Sequence, residues 1–180
     1  MSTRENFVEQ TGYSGSSQTR SRHPEEPRAS AATKDKQIIR APLTADDVAR
    51  GVRRALLAEG FSPICEFSLS NNRRMDVAAI GPDSSFVGVE IKVSVADLKG
   101  DGKWPDYLGW CDLFYFAVPP EFPQALLPLA HGLIVADRFG GEIVRPSSRM
   151  PLNPARRRAL VLRFAHCAAE RLTRVLDPGG

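Results

Sequence analysis

Residues 74–93, RMDVAAIGPDSSFVGVEIKV, decide the fold. Two apolar runs flank GPDSS, a cluster of turn-forming residues, so the stretch reads as a β-hairpin. Yet Asp76, Glu90 and Lys92 interrupt segments that otherwise read as core. Buried charge is costly unless it is paired, hydrogen-bonded or bound to a metal. With GPDSS as the loop, Ile80 faces Phe86, Ala78 faces Gly88 and Asp76 faces Glu90. Directly opposed residues share one side of a sheet, with Cβ atoms about 5 Å apart. Lys92 lies two residues beyond Glu90 and shares that side. A slip of one residue would separate the three charges.

Two adjacent carboxylates repel unless positive charge sits between them. Lys92 supplies that charge in one reading, a plain ion-pair cluster. In the other, a divalent cation sits between the carboxylates. Mg²⁺ suits a site with one or two carboxylates plus substrate phosphate and water. Such an ion polarises a phosphoryl oxygen, and a nearby lysine stabilises the charge that develops there. The small residues Ala78 and Gly88 are expected to leave room for a phosphate backbone. E-x-K alone is a weak signal. An aspartate, then a hairpin, then E-x-K within a strand is more specific, because that context is the one the chemistry needs.

Outward from the hairpin, the other elements follow from periodicity and punctuation. TADD places Thr44 as helix N-cap with Asp47 at the third helical position, a capping box. Val48, Val52 and Leu56 form the apolar stripe of that helix, and Gly60 ends it. ICEFSLS (64–70) alternates as a half-buried strand does. Short helices are expected at 94–98 and 105–110. LFYFAVP (113–119) is apolar throughout and reads as a central strand. GLIVAD and GEIVRP are two further strands. Asn153 caps a long final helix with Pro154 at its first position. Leu160, Phe164, Cys167, Ala168, Leu172 and Val175 are expected to face the core, with Arg156, Arg163, Glu170 and Arg174 mostly opposite. The order predicts a layered α/β (α+β) domain with a mixed sheet.

At 180 residues and 42% hydrophobic content, one globular domain with a real core is expected. Residues 1–36 are rich in Ser, Thr, Gln, Glu, Arg and Pro and are read as a disordered tail, leaving 37–180 as the domain. The net charge of +3 permits a nucleic-acid partner without demanding one. The three cysteines are far apart with no CxxC pair, which argues against a zinc site or a disulfide framework and for a reducing compartment. No apolar run approaches the roughly 20 residues that span a bilayer. A soluble, cytoplasmic protein is expected. No Ser/His/Asp or Cys/His nucleophile arrangement and no phosphate-binding P-loop is visible.

MDV…VEIKV resembles the D…(D/E)-x-K signature of the PD-(D/E)XK nuclease superfamily, the restriction-endonuclease-like fold. RRMDVAAI, VEIKVSVADLKGDGKWPDYLGWCDLFYFAVP, GLIVAD and the ARRRALVLRFA helix together resemble the MmcB family of bacterial DNA repair proteins. The similarity covers about 42–178, nearly all of the folded part. The resemblance implies a Mg²⁺- (or Mn²⁺-) dependent DNA endonuclease acting in repair. It implies that Asp76 and Glu90 bind the metal with the Ile91 carbonyl, and that Lys92 orients the attacking water. Met75 stands where the superfamily motif has its nominal proline.

Accessory candidates are Glu66, as an additional carboxylate, and Asp97, Lys103, Trp104 and Tyr107 after the catalytic strand. Lys103 is a candidate phosphate contact, and Trp104 and Tyr107 are candidate stacking platforms or core residues. Arg73 and Arg74 are the nearest phosphate anchors, and Asp112 reads as a strand-entry residue. Two alternatives stand beside the repair nuclease. One is a non-catalytic DNA-binding or scaffold protein on the same fold; the other is a nuclease of RNA or foreign DNA.

Overall fold

A computed structural model describes residues 41–179. The tail read at 1–36 lies outside the described residues, as do 37–40. Helix α1 (Ala45–Ala58) opens on the expected capping box: the Asp47 N–H donates to the Thr44 hydroxyl, and the Thr44 N–H donates to the Asp47 carboxylate, both at 3.2 Å. Its stripe of Val48, Val52 and Leu56 is fully buried, and Gly60 (φ +81°) lets the chain turn out of the helix.

Six strands follow: β1 (Ser62–Ser68), β2 (Arg74–Ile80), β3 (Phe86–Ile91), β4 (Leu113–Val118), β5 (Gly132–Ala136) and β6 (Gly141–Arg145). They form one sheet in sequential order. The β1–β2, β2–β3 and β5–β6 pairs are antiparallel, whereas β3–β4 and β4–β5 are parallel. Helix α2 (Val95–Gly100) and a 3₁₀ segment (Trp104–Trp110) make the crossover from β3 to β4. Helix α3 (Pro154–Leu176) closes the chain, with Asn153 accepting from the Ala155 and Arg156 amides. The architecture is the expected mixed sheet flanked by helices. No described helix is long and apolar enough to cross a membrane.

The sheet separates two cores. On one face α1 packs on Val77, Ala79, Val87, Val89, Tyr115 and Ala117. On the other, the 3₁₀ segment and α3 cover Phe67, Met75, Ala78, Phe86, Phe114 and Phe116. Within β2, Met75 lies in one core and Val77 in the other, although two residues apart on a regular strand share a face. The cause is a local break. The ladder pairs Cys65 with Val77 and Phe67 with Met75 but skips Glu66, whose φ is +52°. Asp76 sits in this break.

Gly51 marks the closest approach of α1 to the β5–β6 turn. A Cβ there would collide with the carbonyl oxygens of Asp137 and Gly140. Backbone on both sides leaves nothing flexible to yield. Gly51→Ala is expected to destabilise by about 2–3 kcal/mol, despite alanine's higher helix propensity. Urea denaturation of the purified variant checks this.

The final helix keeps its expected orientation over Leu160 to Ala168 and departs from it further on. Leu160 and Phe164 are buried, but Leu172 and Val175 are exposed. Arg156 and Arg163, expected to face water, instead reach the sheet side, as does Arg171. Arg171 donates to the Cys65 and Glu66 carbonyls, Arg163 to the Ser68 carbonyl and Arg156 to the Gly109 carbonyl. A guanidinium on a long apolar stem reaches backbone carbonyls while its stem packs, so an arginine row need not mark the wet face.

Candidate functional site

The hairpin register is the expected one: Ile80 pairs with Phe86, Ala78 with Gly88 and Val77 with Val89. Beyond Val77–Val89 the ladder opens, so the expected pairing of Asp76 directly opposite Glu90 does not form. The Asp76 carboxylate fills the opening, accepting the Ile91 N–H at 2.7 Å through Oδ2. Glu90 and Lys92 lie beside it, 6% and 4% exposed. Lys92 extends the β3–β4 pairing by donating its backbone N–H to the Ala117 carbonyl. The side chains of Asp76, Glu90 and Lys92 therefore meet at one end of two adjacent strands.

The Lys92 ammonium donates to Glu90 Oε1 at 2.9 Å and to Asp101 Oδ2 at 2.6 Å, with Asp97 Oδ1 at 3.7 Å. Burial works against this charge, but the surrounding carboxylates win and hold Lys92 well above the usual lysine range. It is a fixed cation. Asp101 is held at about 2: burial raises it, but the hydrogen bonds from Lys92, from the Glu90 carboxyl when protonated and from the Lys103 amide outweigh that. Burial pushes Glu90 up to about 8, and the neighbouring Asp76 charge adds to this. Burial also raises Asp76, partly offset by the Ile91 amide. Glu90 Oε2 is buried and has no hydrogen-bond partner. A buried oxygen left unpaired is costly, and its carboxylate neighbour makes the cost larger.

Without metal, Glu90 titrates near 8 when folded against 4.5 as its ordinary value. The unfolded chain gives up this proton first as pH rises. The stability that Glu90 contributes is therefore full below about pH 4.5 and is lost as pH climbs to about 8. Glu90→Gln, neutral throughout, is expected to gain stability relative to the parent across that window. Paired thermal melts in chelator from pH 5 to 8.5 check the widening difference.

The accessory candidates divide. Ser94 caps α2, its hydroxyl accepting the Asp97 N–H, and Asp97 in the first turn accepts the Val93 N–H at 3.2 Å. Glu66 pairs with Arg74 at 2.6 Å and lies close enough to raise Asp76 by its charge. Arg73 pairs with Asp106 at 2.7 Å. Both arginine pairs are solvent-exposed and therefore weak. Lys103 is exposed and has no ion pair among the described residues. Trp104 packs on Phe114, Phe116 and His131, with ring centroids 5.0–6.0 Å apart. Tyr107 is 6% exposed and donates its hydroxyl to the Arg74 carbonyl, so its ring is core rather than a stacking platform.

The space expected above Ala78 and Gly88 is filled. Ala78 is fully buried, and a Cβ on Gly88 would lie 2.9 Å from the Met75 methyl and 3.3 Å from Cys111 Sγ. A phosphate backbone has no access there; the opening is at the end of the hairpin, not along it. A groove of about 890 Å³ lined by Val93, Pro119, Phe122, Arg138 and Phe139 lies near the ends of β3 to β5. It gathers neither Asp76, Glu90 nor Lys92.

Asp112 is more than a strand-entry residue. It is fully buried, accepts the Phe86 and Leu152 amides, and receives both Arg157 terminal nitrogens at 2.6 Å. The available signal was an aspartate at the mouth of the most apolar strand in a chain that ends in an arginine-rich helix.

A family model described as DNA repair protein MmcB-like matches residues 32–179. No curated protein matches the chain. Among solved structures, SPO1766, a protein of unknown function from Silicibacter pomeroyi, is 43% identical with a TM-score of 0.74. The match covers 79% of this chain and 97% of that one. With the family model spanning nearly all of it, the chain belongs to the MmcB-like family of DNA repair proteins.

Proposed function

We propose that the protein is a divalent-metal-dependent endonuclease that hydrolyses phosphodiester bonds of DNA during repair. The observation that carries the reading is the buried, unpartnered Glu90 Oε2 beside the Asp76 carboxylate, under a fixed lysine cation. Hard oxygen donors of this kind fit Mg²⁺ or Mn²⁺. Among the described residues no group of three or more His, Cys, Asp or Glu side chains is assembled for a metal. Two carboxylates and the Ile91 carbonyl would hold the ion, with substrate phosphate and water completing its shell, as is common for Mg²⁺.

Once bound, such an ion polarises a phosphoryl oxygen and acidifies water. The chain supplies the rest. Lys92, charged at any physiological pH, donates hydrogen bonds to the attacking water and offsets the negative charge growing on the phosphorus oxygens. It cannot be the general base, because its proton is held too firmly. Arg73, Arg74 and Lys103 would exchange their weak surface contacts for backbone phosphates and set the register of the duplex.

Incubation with Mg²⁺ or Mn²⁺ and a panel of flap, junction, nicked, crosslinked and single-stranded DNA, with RNA alongside, tests this. Cleavage of at least one DNA member, lost in Lys92→Ala, supports the reading. Cleavage of RNA alone assigns the centre to a different nuclease. One observation favours a second reading, a DNA-binding scaffold. Lys92 is already satisfied by Glu90 and Asp101, as a structural ion cluster would be. That reading predicts DNA affinity unchanged by Asp76→Asn and no heat of metal binding by calorimetry.

A further inference from the structure

Helix α3 carries four of its arginines on the same side that buries Leu160 and Phe164. These arginines bond groups of the sheet, the 3₁₀ segment or the loops beneath it. On the opposite side Leu162, Leu172 and Leu176 are 55%, 59% and 75% exposed, with Ala165 and Ala169 exposed between them. These five positions are separated alternately by three and four residues. At roughly 100° per residue they fall within a sector roughly 80° wide. Alternating three-four spacing is the seam of a two-helix coiled coil. Ala159, Val161, His166, Ala168 and Thr173 flank the seam, and Arg158 is its one permanently charged member. A face solvated in the monomer would instead carry charged residues.

We propose that this face packs against the same face of a second copy of the chain, with the two α3 helices antiparallel. The sequence of the stripe is self-complementary. A two-fold axis near position 167 brings Leu162 against the partner's Leu172, and Ala165 against the partner's Ala169. The alanines at the centre let the backbones approach closely, and the leucines pack on either side of them. This is the isologous arrangement in which each contact occurs twice. The charges agree as well. The same axis brings Arg158 to the partner's Leu176 and the exposed Asp177 that caps the helix. A helix C-terminus and a carboxylate there both attract a cation. Within its own protomer Arg158 has no ion pair among the described residues.

Sedimentation of the full-length protein over a concentration series, without DNA or metal, tests the pairing. The wild type is expected to dimerise reversibly, and Leu172→Glu is expected to weaken the dimer by at least tenfold. Leu172 is exposed, so the variant is expected to fold, which circular dichroism verifies. Arg158→Asp is expected to weaken the dimer, and Arg158→Asp combined with Asp177→Arg to restore it. A wild type still monomeric at about 1 mM overturns the proposal, whatever else covers the face. A dimer indifferent to Leu172→Glu overturns it too, as does an Arg158→Asp loss that the double exchange leaves unrepaired.

Discussion

Lys92→Ala is expected to lower metal-dependent DNA cleavage by about 10²- to 10³-fold, the scale of losing one preorganised electrostatic donor. Glu90→Gln is expected to lose at least as much, for a different reason. Its carboxylate carries the unpartnered Oε2, and the neutral amide cannot replace it as an anionic ligand. The two variants should therefore separate in calorimetry. Glu90→Gln loses affinity for Mn²⁺, whereas Lys92→Ala retains it. Removal of Lys92 also leaves Glu90 and Asp101 facing each other without their shared cation. Some loss of folding stability accompanies that change, so cleavage is compared well below the melting temperature of each variant. Equal metal affinity in both variants would contradict the division of roles between carboxylate and ammonium.

The largest expected effect on stability lies elsewhere, at Arg157. Asp112 is fully buried and holds together four parts of the chain. Its carboxylate accepts from the first residue of β3, from Leu152 ahead of α3 and from the Arg157 fork. Its backbone also bonds Phe86 at 2.7 Å and Met150 at 2.7 Å. Burial alone would raise Asp112, yet the Arg157, Leu152 and Phe86 donors hold it below the ordinary carboxylate range. Arg157→Ala strips the counter-charge from a carboxylate that water cannot reach. The expected cost is about 3 kcal/mol, at the lower end for a broken buried pair because two amides remain. Equilibrium denaturation measures it. The pH dependence has a definite sign. A depressed aspartate contributes its stability above its unfolded pKa, and that stability is lost as pH falls through the folded value. The parent should therefore lose its advantage over Arg157→Ala on acidification below about pH 4.

The hairpin was legible because three independent facts agreed. GPDSS fixes the loop, the apolar runs fix the pairing from Ile80–Phe86 to Val77–Val89, and the charged residues mark the end where that pairing stops. The capping box at Thr44 and the Asn153 cap of α3 were legible for similar local reasons. Three features escaped because they are set by tertiary contacts. The break at Glu66 requires a positive φ at a non-glycine, and no local signal marks it. It moves Asp76 out of the ladder and closes Met75 over Gly88, so an apparent approach path for phosphate became packed core. In α3 the helical pattern places Arg156 and Arg163 toward water, yet both join Arg157 and Arg171 in reaching carbonyls or a buried aspartate, while Glu170 and Arg174 stay exposed as expected. Trp104 and Tyr107 were ambiguous as sequence, and their neighbours Phe114, Phe116 and the Arg74 carbonyl assign them to the core. What sequence pattern conveyed was the list of chemical groups. Which groups remain unsatisfied was visible only in three dimensions.

That unsatisfied group gives the most direct test. Crystals of the protein soaked in Mn²⁺ and recorded near the manganese absorption edge would show where the ion binds. The predicted result is an anomalous peak bridging Asp76 and Glu90, in contact with Glu90 Oε2, that disappears in Glu90→Gln. A saturating soak that leaves Asp76 and Glu90 without a peak, with Glu90 Oε2 still unpartnered, would contradict the proposed centre.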